Sequence, residues 1–170
     1  CYKTPAGPAI FRLEDHIDRL FFSARVYRME IPYTRAQIMA ACAEAVAING
    51  LDECYIRPLV YRGYNHVGVD PTGTPIDVAI AAYPWGKYLG PESLTRGVAV
   101  KVGTWARLAP NTLPAMAKAG GNYLSSQLIT MEAKRLGFAE GIGLSTDGTV
   151  SEGGGENLFV VKDGVLMTRG

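Results

Sequence analysis

Three residues carry the chemistry this sequence offers. Lys118 lies in Ala117-Lys118-Ala119-Gly120-Gly121, Tyr123 follows five residues on, and Glu152 comes 34 residues after the lysine. Glu152 opens a second glycine cluster, Gly153-Gly154-Gly155. A lysine amine can condense with an aldehyde and, once released, act as a general base. A phenol hydroxyl can hydrogen-bond a ring oxygen. A carboxylate can pair with a protonated ring nitrogen and keep its proton in place. A lysine beside two glycines proves nothing alone, because most lysines are solvated surface residues. The joint pattern is what carries weight.

The constellation looks like a pyridoxal 5'-phosphate site, and the motifs around it resemble class IV (fold type IV) aminotransferases. Within that family they resemble the branched-chain amino acid aminotransferases. Glu152 through Phe159 matches the end of the family signature, Glu-x-small-x-x-Asn-aliphatic-Phe, and Leu166-Met167-Thr168 matches its next piece. Ile56-Arg57-Pro58-Leu59, Ala82-Tyr83-Pro84-Trp85-Gly86 and Ala109-Pro110-Asn111-Thr112 are similar to further family stretches, in the same order. The resemblance implies transamination between branched-chain L-amino acids (Leu, Ile, Val) and 2-oxoglutarate. It implies that Lys118 holds the cofactor and moves the proton, that Tyr123 lies near the phenolic oxygen, and that Glu152 binds the pyridine nitrogen. Arg57 is expected to meet the distal carboxylate of glutamate, for which a guanidinium suits bidentate pairing. Trp85 and Tyr88 match positions lining the side-chain pocket, and Glu156 fits a supporting role. The family's phosphate-gripping arginine would precede residue 1, and homo-oligomers are the rule.

One stretch departs from the family. Where it usually reads Gly-Met-Gly-Val, this chain has Asn65-His66-Val67-Gly68-Val69. The alternatives are another class IV enzyme, a D-amino-acid aminotransferase or aminodeoxychorismate lyase, and a chain that folds or binds without catalysis. The run Ile56-Arg57-Pro58-Leu59 speaks against the former, and the intact Lys118, Tyr123 and Glu152 set against the latter.

Composition narrows the classes further. The 170 residues are 48% apolar and 19% charged, which suits a globular chain with a sizeable core. A net charge of +1 gives no electrostatic case for nucleic acid or an acidic membrane. Cys1, Cys42 and Cys54 have no CxxC spacing and read as reduced thiols in a cytoplasmic protein. His16 has no second metal ligand nearby. A first residue of Cys and a strand-like end over 165–170 read as an internal fragment of a longer protein.

The positioning elements are legible from periodicity. Residues 1–9 read as a loop, and 11–13 as the end of a strand. From Glu14 a helix buries Ile17, Leu20, Phe21, Ala24 and Tyr27. Thr34 caps a second helix with a stripe of Ile38, Ala41, Cys42, Ala45 and Ile48, ended by Asn49-Gly50. Strands are expected over 54–61, 76–83 and 97–105, and an irregular stretch over 111–116. A helix over 121–137 is expected to turn Leu124, Leu128, Met131 and Arg135 to one side, with Gly137 ending it. Short strands follow over 141–145, 149–151, 158–162 and 165–168. Asp147-Gly148 and Asp163-Gly164 supply their turns. Together these give a mixed α/β (α+β) fold of two domains. Residues 1–90 form a small α+β domain, 91–97 the connection, and 98–170 the first part of a larger cofactor-binding domain.

Overall fold

Ile17 and Ala24 stand two turns apart in a segment whose other side is charged, and this spacing makes helix α1 (Leu13–Val26) one-faced. Glu14 and Asp15 in its first turn suit the positive end of the helix dipole. In helix α2 (Arg35–Ile48), Thr34 and Gln37 form a reciprocal capping box. Gly50, at φ 61°, closes the other end. The buried stripe of α2 is Ile38, Cys42 and Val46, and Ile48 is 76% exposed, contrary to expectation. Nearly every residue of α2 is apolar, so periodicity could not choose its inner face.

The computed structural model describes residues 1–65 and 67–168. His66 of the departing loop, and Arg169 and Gly170 of the final expected strand, lie outside the described residues. The fold is mixed α/β. Residues 1–9, expected as a loop, instead form a hairpin of β1 (Tyr2–Thr4) and β2 (Gly7–Ala9). The Thr4 hydroxyl donates to the Gly7 carbonyl across its turn at 2.6 Å. Phe11 is in a turn rather than a strand, and Leu13 begins α1.

The chain divides into two compact units, Cys1–Gly86 with Met116–Lys118, and Lys87–Ala115 with Ala119–Gly170. In the first, β3 (Tyr55–Arg62) and β4 (Ile76–Tyr83) pair antiparallel with Arg57 opposite Ala81. Ile56, Val78 and Ile80 on one face pack against Ile17, Ile38 and Cys42 of the helices. Strand alternation then leaves Tyr55, Arg57, Leu59 and Tyr61 exposed on the other face.

In the second unit, β5 (Val100–Ala106) runs parallel to β6 (Glu140–Leu144), and β7 (Val150–Gly153) pairs antiparallel with β6. β5 starts later than expected because Gly97, at φ 69°, ends the short helix α3 (Ser93–Arg96). Helix α4 (Leu124–Arg135), entered through a 3₁₀ turn over Gly120–Tyr123, crosses between the parallel strands. Gly137, at φ 85°, follows its end, and residues 111–116 are irregular. β8 (Phe159–Lys162) and β9 (Val165–Thr168) form a hairpin whose Asp163-Gly164 turn has positive φ at both residues.

Leu124, Leu128 and Met131 share one side of α4, as expected, and it is not the buried side. Ser126, Ile129 and Ala133 are buried, while Leu124, Leu128 and Met131 are 64%, 40% and 59% exposed. The reason lies in the strands. Gly103, Gly141 and Gly143 lie against Ile129, so the helix comes close enough for small residues to make the contact. A Cβ on Gly141 would lie 2.6 Å from Ile129 Cγ2 and 2.8 Å from its carbonyl oxygen. Gly141→Ala is therefore expected to cost about 1–3 kcal/mol, since backbone must yield. Gly86→Ala, where a Cβ meets nothing within 4 Å, should stay within about 0.5 kcal/mol. Denaturant midpoints of the two variants check this, and equal midpoints would remove the close-approach account.

Candidate active site

Glu152 comes from β7, directly opposite Gly143 of β6. Its Oε1 accepts an ion pair from Arg107 Nη2 at 2.6 Å, and the arginine side chain is only 15% exposed. Arg107 Nη1 also donates to Ser125 Oγ at 3.1 Å and to Ser126 Oγ, both on α4. The Arg107 backbone N–H donates to the Leu144 carbonyl at 2.7 Å, which fixes where the side chain starts. Sequence reasoning missed Arg107. A single arginine just after a strand carries no spacing signal, and its partner is 45 residues away.

The turn after Glu152 is tight for reasons internal to the chain. A Cβ on Gly153 would lie 2.5 Å from Glu156 Oε2, and one on Gly154 2.2 Å from Thr130 Oγ1. The Gly153 N–H donates to the Glu156 carbonyl at 2.9 Å, and the Gly155 N–H to Glu156 Oε2 at 3.1 Å. The side on which a Cβ would stand at Gly153 and Gly154 is thus occupied by protein atoms. Glu156 supports the turn from below. Tyr123 ends the 3₁₀ turn before α4 and is 40% exposed.

Tyr88 is half-exposed, and its hydroxyl faces Glu140. Burial comes first and Glu140 second in pushing the Tyr88 phenol up to about 12, so it remains a proton donor at any ordinary pH. Glu140 itself is buried, accepting from Thr130 Oγ1 at 3.0 Å and from the Gly141 N–H at 2.7 Å.

The remaining expected residues belong to the first unit. Lys118 is exposed, but its backbone is held. Its N–H donates to Ser23 Oγ at 3.0 Å, and the Ser23 hydroxyl donates to the Arg19 carbonyl at 2.8 Å. Ser23 and the neighbouring Ala117 are both buried. Arg57 lies over the ring of Tyr55, with 5.2 Å from its Cζ to the centroid. Tyr55 in turn meets Tyr83 at 5.7 Å and Trp85 at 5.5 Å. Arg57 and Trp85 are thus brought to one aromatic cluster. Tyr55 was overlooked as a site residue, although its position two before Arg57 puts it on the same strand face.

An exposed amine on a fixed backbone, a phenol and a carboxylate held by a guanidinium match the donor set that pyridoxal phosphate needs. Among the described residues no group of three metal-ligating side chains forms a metal site, and no helix is long and apolar enough to cross a membrane.

Residues 6–170 match the family model described as amino-transferase class IV. The branched-chain-amino-acid aminotransferase of Escherichia coli K12 is 50% identical over 169 residues, which are 99% of this chain and 55% of that protein. The chain therefore spans about half the length of the curated relatives it matches. The crystal structure of the E. coli enzyme superposes with a TM-score of 0.95 at 50% identity, covering 99% of this chain and 56% of that one. That of the T.th. branched-chain amino acid aminotransferase complexed with N-(5'-phosphopyridoxyl)-L-glutamate gives 0.90 at 43% identity, covering 97% and 53%. The match of the family model over almost the whole chain shows that this chain belongs to the class IV amino-transferase family.

Proposed function

We propose that the full-length protein is a pyridoxal-phosphate-dependent aminotransferase acting between branched-chain L-amino acids and 2-oxoglutarate. The observation that carries this reading is the lysine whose backbone is fixed through Ser23 while its residue stays exposed. A surface lysine without a task needs no such anchor. The similar enzymes named above bear the same activity in their names, and one of them was crystallised with a phosphopyridoxyl-glutamate adduct.

Each residue then has a definite task. Bound pyridoxal phosphate supplies an electron sink conjugated to the substrate's α-carbon. Lys118 Nζ holds the cofactor and, when released, takes up and returns the α-proton. The Tyr123 hydroxyl donates to the cofactor's ring oxygen. The Glu152 carboxylate accepts from the protonated ring nitrogen. Arg57, lying on the Tyr55 ring beside Trp85, offers a guanidinium to glutamate's distal carboxylate and aromatic surface to an aliphatic side chain. Tyr88, kept protonated, adds a donor for the substrate.

The reading also assigns residues 1–90 to a small domain, 91–97 to a connection and 98–170 to part of a larger domain. The division of the chain between Gly86 and Lys87 supports it. It further includes a homo-oligomer. The β8–β9 hairpin exposes Phe159, Val161, Val165 and Leu166 by 56–70%, and this apolar area needs cover from the rest of the full-length chain or from a second copy.

Two experiments test the chemistry. Borohydride reduction of the cofactor-loaded full-length protein, followed by peptide mapping, should place the label on Lys118. A label on Lys87, Lys101 or Lys134 would overturn the assignment. Arg57→Met should lower kcat/KM for glutamate about tenfold to a hundredfold more than for leucine, because a lost charge-assisted pair is worth about 1.5–3 kcal/mol. Equal losses on both substrates would mean that Arg57 does not choose between them.

A further inference from the structure

We propose that Arg107 is a positioning residue that acts through Glu152, fixing the direction of the carboxylate assigned to the cofactor's ring nitrogen. The proposal rests on that assignment of Glu152.

The geometry has three parts. Arg107 follows β5, Glu152 lies in β7, and β6 runs between them in the sheet order β5-β6-β7. The arginine must cross β6 to reach its partner. It crosses at Gly143, the residue paired with Glu152, where a Cβ would lie 3.0 Å from Arg107 Cδ and 3.1 Å from Cγ. Only a glycine there leaves the stem its path.

The guanidinium is then held from two sides. Nη1 gives its protons to Ser125 and Ser126 at the start of α4, while Nη2 gives one to Glu152 Oε1. Arg107 Nε is buried without a hydrogen-bond partner among the described residues. A buried cation with an unsatisfied donor is costly to keep for packing alone, and an apolar side chain of similar length would fill the space more cheaply. The charge is therefore kept for what it does to Glu152. The ion pair at 2.6 Å ties the carboxylate to a guanidinium that is itself fixed on α4. The pairing occupies Oε1 and directs Oε2, so one rotamer is presented to the ring. Ser125 and Ser126 come one and two residues after Leu124, where Tyr123 ends its turn. One guanidinium thus ties Glu152 to the stretch that carries Tyr123.

The test is a double-mutant cycle in the full-length protein with Arg107→Met, Arg107→Lys, Glu152→Gln and the Arg107→Met/Glu152→Gln pair. Two quantities are read: the Kd for pyridoxal phosphate, by absorbance titration of the cofactor-free protein, and kcat for transamination. Arg107→Met should raise Kd and lower kcat, each by about tenfold to a hundredfold, as expected for a lost hydrogen bond between charged groups. In the Glu152→Gln background the same change should cost less than about threefold, because the residue it acts through is already neutral. Arg107→Lys, keeping the charge without the fork, should recover part of the loss. If Arg107→Met costs as much with Glu152→Gln as without it, Arg107 does not act through Glu152 and the proposal fails. Should Arg107→Met show no cooperative melt, Arg107→Lys in both backgrounds decides by the same comparison. A Glu152→Gln variant with unchanged Kd and kcat would instead overturn the assignment of Glu152, and this proposal with it.

Discussion

The second unit depends on how closely α4 can lie on its sheet. Ile129 is fully buried, worth about 1.5–3 kcal/mol of apolar transfer, and its neighbours across the contact are glycines of β5 and β6. A larger residue at Gly141 would press on the Ile129 carbonyl itself, so the helix would have to lift. Lifting it would carry away Ser125 and Ser126, which hold Arg107, and Thr130, which holds Glu140. The placement of the candidate carboxylate and of the tyrosine-facing glutamate thus follows from three residues without side chains. Gly143 serves twice, since the space a Cβ would take there is shared by the Ile129 side chain and the Arg107 stem.

The same logic explains what the sequence made legible. Elements bounded by strong local signals were readable: the Thr34 capping box, the Gly50 and Gly137 helix ends, the Asp163-Gly164 turn and the alternating strands around Arg57. Family motifs singled out Lys118, Tyr123 and Glu152, though they are spread over 35 positions. What local pattern could not supply was the choice of face where two faces are both plausible. α4 shows Leu124, Leu128 and Met131 at helical spacing, yet it buries Ser126, Ile129 and Ala133. Hydrophobicity ranks the first set higher. Steric fit to a glycine surface selects the second, and the glycines of that surface stand more than ten residues from Ile129 in either direction along the chain. α2 posed the same difficulty with apolar residues all round, and Ile48 fell on the wrong side of the choice.

Arg107 and Ser23 were invisible for a different reason. Each acts by holding another residue's backbone or carboxylate, and the partners are separated by 45 and 95 positions. Their types are ordinary where they stand: an arginine after a strand, a serine in a helix. The serine even has a local explanation, since Ser23 Oγ donates to the Arg19 carbonyl one turn back, a common habit of helical serines. Only the long-range acceptance of the Lys118 N–H distinguishes it. The second glycine cluster has a reason the chain order hides: the space a Cβ would take at Gly153 and Gly154 is filled by Glu156, Thr130 and Glu140.

These features share a physical economy. Lys118 is exposed, and its placement comes from the backbone, whose N–H donates to the buried Ser23 hydroxyl. The Glu152 carboxylate is held from its side-chain end instead, by the ion pair with Arg107. Tyr88 keeps its proton chiefly through burial and, second, through the neighbouring Glu140 carboxylate. Substitutions at Ser23, Arg107 or Glu140 therefore act on geometry before they act on fold, because each removes a support and leaves the apolar contacts of Ile17 and Ile129 in place.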